Sequence, residues 1–504
     1  MIERRFFRVV RFWLALAVAL TLAPLSSSLA QAPGDDPLAR FAPAMRPDFI
    51  GDLADYPGAP RYAIDLTLAL DESGATLDGS QQVRYTNRTP DALDEIVFRL
   101  YPNLRSYGGE MAVSNVTVDG ATAETRLDST RTVLRVALPE PLAPDAETTL
   151  ALDYEIRVQA ERQRLYAQFS SIGGVLALPN AYAVLSVYEP GAGWWDVAAH
   201  PQGDAVYSET AFYEVSLSAP ESLIIAATGS EISVSEGDAG TLVHHYVAPL
   251  MRDFAFFASE QYVTLSGEEG GVTITLYYDP ARPNAAQNAQ IALILAKEAV
   301  YVFNEAFGPY PFSELDIVQT PTGAGGIEYP GLFVVADRVW DEAADYFLFV
   351  IVHETAHQWW YSLVGNDQTL DPWMDEALAQ FAVALFIGKM EGEGAYHASM
   401  NSYAEQVSSF TGLAVDLDRP IGLPVSDYSG RAYFYMVYQK GPLFFGALVE
   451  RFGVEAVVAA LQDYFAAYRY GIAEPVDMLL SFEQSLGEDL DALFAEWVGD
   501  FPVG

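Results

Sequence analysis

The chain has 504 residues and no cysteine, which excludes a disulfide framework, a thiolate metal site and a cysteine nucleophile. Hydrophobic residues make up 51% of it, enough to build large cores in two or three domains. A formal net charge of −41 excludes a nucleic-acid surface and disfavours anionic membranes; solubility in a salty or acidic medium accounts for it without a charged partner.

The first residues predict an export signal over 1–32. Arg4, Arg5, Arg8 and Arg11 precede the apolar run Phe12 to Leu25, and Ala30-Gln31-Ala32 offers a cleavage site. That run is short for a membrane span, and an uncleaved anchor helix is the alternative. Only in that case would the protein meet a membrane. Residues 33–58 are rich in Pro, Ala and Asp without periodicity and read as a linker. From 59 to 280 apolar residues recur with period two, as in Ile64, Leu66, Leu68 and Leu70 of "RYAIDLTLAL" and Val272, Ile274 and Leu276 of "GVTITLYYDP". Turn residues punctuate these runs, which predicts an antiparallel all-β domain. Residues 281–504 change character. A helical segment from about Asn284 to Gly308 precedes the short strand "LDIVQT" and the glycine-led run "GGIEYPGLFVV", whose Pro330 suits an edge strand. Helical stretches follow at about 341–364, 372–389, 430–451, 454–468 and 475–498. The expected architecture is an all-β domain followed by a mainly helical α+β domain with a small sheet.

"IVHETAHQWW" places two of the chain's six histidines inside the first of these helices, which Gly365 is expected to close. Residues i and i+4 lie about 40° apart around a helix, so His353 and His357 can hold one ion together at about 2.0–2.1 Å. Glu354 is rotated by about 100° from His353. It therefore flanks the ion, where it can take a proton from the attacking water. A catalytic zinc needs a third protein ligand and an open position. The next helix begins "DPWMDEALAQF", with Asp371 as expected N-cap and Pro372 as first helical residue. A short loop between antiparallel helices can bring Glu376 over the histidine face. Two histidines, a glutamate and a water make a hydrolytic zinc site with one Zn²⁺ per chain.

These segments resemble the M1 family of zinc aminopeptidases among the gluzincins. "HETAHQWW", with Glu376 nineteen residues after His357 in "WMDEALAQ", looks like the family's H-E-x-A-H-Q-W and W-L-N-E. "GAGGIEYPG" resembles its G-G-M-E-Y-P segment and "YQKG" its Y-x-K-G. The early strands and "FRLYPN" resemble its N-terminal saddle. The resemblance implies that His353, His357 and Glu376 bind zinc. It makes Glu354 the general base and then the acid to the leaving amine, and Tyr438 the stabiliser of the oxyanion. It makes Glu328 the ligand of a peptide's free α-amino group, on an edge strand where Gly325 and Gly326 allow close backbone approach. On chemistry alone any tyrosine of "RAYFYMVYQKGPLFF" could serve; the Y-x-K-G match selects Tyr438. A solvated charge that guards an edge strand is the plain reading of Glu328.

The chain departs from the family's text at several points. Ile327 stands for its Met and Asp375 for its Asn. The β-domain segment whose Gln or Glu lines the specificity pocket has no recognisable counterpart in "LPNAYAVLSVYEPGAGWWD", where Asn180 and Glu189 are the polar residues in reach. The chain is also expected to be a short form, without the large C-terminal helical domain. The resulting expectation is an exported zinc aminopeptidase acting on peptides with a free N-terminus. A thermolysin-type endopeptidase and a non-catalytic peptide-binding protein on the same fold are the alternatives.

Overall fold

The computed structural model describes residues 38–161, 166–238, 240–342, 345–410 and 418–499. The export signal read over 1–32 lies outside them. No helix among the described residues is long and apolar enough to cross a membrane.

The period-two runs become strands with one buried face. In Arg61–Asp71, Tyr62, Ile64, Leu66 and Leu68 are buried and their neighbours are not. This strand lies near the middle of an eight-stranded sheet in the order Ser230–Glu236, Thr241–Met251, Ala211–Pro220, Arg61–Asp71, Gly74–Thr86, Glu147–Gln159, Gly109–Val118, Ala121–Thr122. One contact in it is parallel, Arg61–Thr67 against Phe212–Ser218, where an antiparallel sheet was expected. Alternation reports which face is buried and carries no information on a neighbour's direction. Two four-stranded sheets and a short hairpin complete the β domain among the described residues.

Two expected boundaries move. The segment read as a linker over 33–58 is, from Leu38 onward, a set of tight turns that buries Leu38, Phe41, Ala44, Met45 and Leu53. The Arg46 amide donates to the Pro311 carbonyl and the Ser313 amide to that of Ala44, which ties the turns to the second domain. Apolar residues spaced for 3₁₀ turns show neither of the periods that mark a helix or strand. The domain boundary expected at 280/281 falls before Val263 instead. The hairpin Val263–Glu269 and Val272–Tyr278 leads a five-stranded sheet continued by Glu314–Thr320, Leu332–Ala336 and Gly326–Tyr329. A period of two marks a strand without naming its sheet.

Gly326–Tyr329 is the outer strand of that sheet, and Pro330 sits in the turn to Leu332–Ala336, not in the strand itself. Helix Ala285–Ala306 packs on this sheet and on helix Asp345–Ala356, which itself touches strands Gly326–Tyr329 and Leu332–Ala336. That second helix ends at Ala356, before the expected Gly365, and the next helix, Trp373–Glu391, starts one residue later than expected. The expected helix 430–451 contains a π-helical segment, Phe434–Lys440, ahead of Gly441–Phe452. The expected helix 475–498 breaks at Gly487 (φ +70°). The largest apolar cluster among the described residues runs from Leu38 to Val498 through both domains, so packed apolar side chains fasten the β domain to the helical domain.

Candidate metal centre and active site

Helices Asp345–Ala356 and Trp373–Glu391 are apolar almost all round their facing ends. Val350 to Ala356 and Trp373 to Phe386 are all buried. Helices with no wet face must pack against one another, and their few polar side chains are then forced together. The result is a cluster of His353, His357 and Glu376. The His353 and His357 Nε2 atoms lie 3.2 Å apart, and Glu376 Oε2 is 3.3 Å from the first and 3.4 Å from the second.

Three observations bear on whether this cluster fits a metal ion. An ion with bonds of about 2.0–2.1 Å in tetrahedral geometry needs ligand atoms about 3.3–3.4 Å apart, close to the spacing found. Glu376 Oε2 is buried and has no hydrogen-bond partner. The His357 Nδ1–H donates to the Trp360 carbonyl at 3.0 Å, which leaves the Nε2 lone pair facing the cluster. The electrostatics agree. Burial alone would lower His357, but Glu328, Glu376 and Glu354 hold it well above the usual histidine range. Burial would raise Glu376, yet the two imidazoles bring it down to about 2. The cluster therefore favours a positive charge at its centre, and its residues fit a divalent cation of the zinc type.

Glu354 stands beside the cluster. Its carboxyl is buried with Oε2 unpartnered, and burial, with Glu376 and Asp204, pushes it up to about 8 against the opposing effect of His357. The outer strand lies directly against it. A Cβ built on Gly326 would meet Glu354 Cγ at 2.6 Å, and one on Gly325 would meet the Tyr346 hydroxyl at 2.6 Å. The approach these glycines permit in this structure is therefore that of Glu354 and Tyr346, in addition to any peptide. Gly326→Ala is expected to displace the Glu354 carboxyl and lower kcat by about 100-fold, the usual penalty for misplacing a reacting group by an ångström. A far-ultraviolet circular dichroism spectrum unlike wild type, rather than a purely kinetic loss, would contradict this account of the glycine.

Glu328 is 6% exposed, so it is no solvated edge-strand charge. The Gln368 side-chain amide donates to Glu328 Oε1 at 2.8 Å and to Asp375 Oδ2 at 2.7 Å. Gln358, in the motif itself, ties the same outer strand to the histidine helix. Its Oε1 accepts from the Gly331 amide at 2.8 Å, and its Nε2 donates to the Tyr329 carbonyl at 3.1 Å. Burial is the main reason that Glu328 is pushed up to about 8 and Asp375 to about 7.

Tyr438 lies on the π-helical segment and donates its hydroxyl to Glu376 Oε1. A π turn adds a residue to the helical circuit and re-aims the side chains beyond it, and such turns recur at functional sites. Of the other tyrosines in that stretch, Tyr433 meets Tyr438 edge-on and Tyr435 stacks on Phe410. Tyr438 is the one bonded to the cluster.

Asp204 is the residue that sequence reasoning missed. It comes from the irregular stretch between the β-domain strands, and its carboxylate oxygens converge with those of Glu328 and Glu376 within 4.8 Å. Burial, then Glu328, Glu376 and Asp375, hold it well above the usual aspartate range. Glu189, one of two residues weighed for this part, accepts from the Tyr207 hydroxyl at 3.2 Å. Asn180, the other, is buried with its side-chain amide unpartnered. No periodic or motif signal surrounds Asp204.

Two histidines and a glutamate around a point of unmet negative charge, with a buried glutamate alongside, form a donor set that fits a metallohydrolase centre on a two-domain scaffold. Residues 291–497 match the Peptidase family M1 domain. Among curated proteins, the aminopeptidase N of Streptomyces lividans is 27% identical over 231 residues, 43% of this chain and 27% of that one. Aminopeptidase M1-B of Oryza sativa subsp. japonica is 24% identical over 313 residues, 58% and 35% of the two chains. This chain thus spans about a quarter to a third of the length of these relatives. An M1 zinc metallopeptidase from Deinococcus radiodurans has the same fold, with a TM-score of 0.64 at 18% identity over 88% of this chain and 96% of that one. A mutant of it bound to a Tyr-Ser-Ala substrate superposes with a TM-score of 0.65 at 18% identity over 88% and 95%. Residues 291–497 thus carry a Peptidase family M1 domain.

Proposed function

We propose that this protein is an exported zinc aminopeptidase that releases N-terminal residues from peptides, with His353, His357 and Glu376 holding one zinc ion. The observation that carries the reading is the three-atom cluster at 3.2–3.4 Å spacing with Glu354 beside it and two further carboxylates, Glu328 and Asp204, on one side. Bound zinc would supply Lewis-acid polarisation of the scissile carbonyl and a water acidic enough to attack at neutral pH.

The chain's own groups do the rest. Glu354 takes the proton of the attacking water and passes it to the leaving amine, a role suited to a buried carboxyl beside the cluster whose Oε2 has no other partner. Tyr438 donates to Glu376 at rest and can turn its hydroxyl to the carbonyl oxygen as negative charge develops there. Glu328 and Asp204 offer an ammonium two carboxylates from opposite domains, which favours a free α-amine and positions the first peptide bond over the cluster. The outer strand Gly326–Tyr329 offers an edge to an extended peptide. Export rests on the basic start and apolar run of residues 1–32, either cleaved or kept as an anchor.

Aminoacyl-amide substrates, free and N-acetylated, test the exopeptidase part. Glu328→Gln is expected to lower kcat/KM on free-amine substrates by about 10- to 150-fold, the equivalent of about 1.5–3 kcal/mol for a charged hydrogen bond. Blocked substrates should be turned over poorly by wild type and variant alike. Equal turnover of blocked and free substrates by wild type would favour a thermolysin-type endopeptidase. No turnover by a zinc-loaded wild type would favour a peptide-binding protein.

A further inference from the structure

We propose that Arg252 and Asp253 of the β domain are positioning residues for His357, acting through the strained turn that follows the histidine helix. The inference rests on the metal reading above. Both residues lie where strand Thr241–Met251 gives way to Ala255–Ser259, and both are buried, at 2% and 0% exposure.

Between His357 and Gly365 the chain folds back on itself. The Ser362 amide donates to the His357 carbonyl at 3.0 Å, the Tyr361 amide to Val364 at 3.0 Å, and the Val364 amide to Trp359 at 2.9 Å. At the apex Tyr361 has φ +117°, a region that a residue with a Cβ rarely enters. Such a conformation persists only where its surroundings over-determine it. Those surroundings come from the other domain. Arg252 Nε donates to the Tyr361 carbonyl at 2.6 Å, and its terminal nitrogens donate to the carbonyls of Leu363 at 3.3 Å, Ser208 at 3.1 Å and Gly471. The Tyr361 hydroxyl donates to Asp253. The side chain and the carbonyl of Tyr361 are thus both held by the β domain. Gly365 makes room for this arrangement, since a Cβ there would fall inside the guanidinium.

The turn reaches the metal cluster through one bond. The peptide that precedes the Tyr361 Cα carries the Trp360 carbonyl, which accepts from His357 Nδ1 at 3.0 Å. That bond sets the ring's orientation and keeps Nε2 free for the ion. A fixed Tyr361 therefore fixes the acceptor that fixes the ligand. The β domain would then raise metal affinity without touching the metal.

The test uses the full chain, stripped of metal, and measures zinc affinity by competition with a chromophoric chelator. Wild type, Asp253→Ala, Asp253→Asn and Tyr361→Phe are compared. Tyr56→Phe serves as control, because the Tyr56 hydroxyl bonds the Arg469 carbonyl and is no part of this turn. Asp253→Ala and Tyr361→Phe are expected to bind zinc about tenfold more weakly, at the low end of what loss of a ligand's supporting bond produces. Asp253→Asn keeps an acceptor for the hydroxyl and should restore affinity close to wild type, and Tyr56→Phe should leave it unchanged. Wild-type affinity in both Asp253→Ala and Tyr361→Phe, whatever their melting temperatures, overturns the proposal. If Asp253→Ala does not fold, Tyr361→Phe, which removes one oxygen atom, decides alone. A wild type that binds no zinc overturns the metal reading itself, a result distinct from tight binding by every variant.

Discussion

Glu354→Gln is expected to lower kcat by about 10²–10⁴-fold while zinc content stays at one per chain, the range by which a positioned acid–base group accelerates proton transfer. The separation follows from geometry. Glu354 lies beside the His353–His357–Glu376 cluster without supplying any of its 3.2–3.4 Å edges, and its Oε2 has no other task. Glutamine keeps the shape and the hydrogen-bonding reach but cannot carry a proton between attacking water and leaving amine. KM should change little, since Glu328 and Asp204 keep their carboxyl groups. Steady-state kinetics with metal analysis on the same sample checks both halves of the statement. A variant that loses zinc along with turnover would show that Glu354 helps hold the ion, and a variant with wild-type kcat would remove it from the mechanism.

Chelation is expected to abolish turnover, and one equivalent of zinc should restore it. His357→Ala should be inactive before and after zinc addition, because the loss of one arm leaves a single imidazole and a carboxylate. In the stripped wild type burial opposes a charge on His357, but Glu328, Glu376 and Glu354 outweigh it, so the imidazole holds a proton more tightly than an ordinary histidine does. Binding of a divalent ion displaces that proton, so metal uptake should release acid and weaken as the pH falls. Titration of the stripped protein with zinc in two buffers of different ionisation enthalpy measures the proton count. Full activity in chelator would contradict the metal reading at once.

The convergence of His353, His357 and Glu376 was legible because it obeys the helix period. His353 and His357 are one turn apart, and Glu376 opens the next helix after a short connection, so that two packed apolar helices leave these side chains a common direction. Glu328 was legible by motif, though its burial was not: whether an edge strand's charge meets water depends on what covers it, here Gln368, itself bonded to Asp375. Asp204 was illegible because it lies on irregular chain and reaches the site across the domain interface, 124 positions from Glu328, the nearest in sequence of the carboxyls it meets. The same limit hid the buried turns after Leu38, the sheet that claims Val263–Glu269, and the π turn before Gly441. Each is decided by tertiary partners and not by a repeating pattern in the chain.

Anomalous diffraction from crystals of the zinc-loaded protein, recorded on either side of the zinc absorption edge, tests the central claim most directly. The account predicts one strong peak per chain, bonded to His353 Nε2, His357 Nε2 and a Glu376 carboxylate oxygen, with Glu354 close by but not bonded. The absence of a peak, or a peak held by other residues with these three side chains turned away from it, would contradict it.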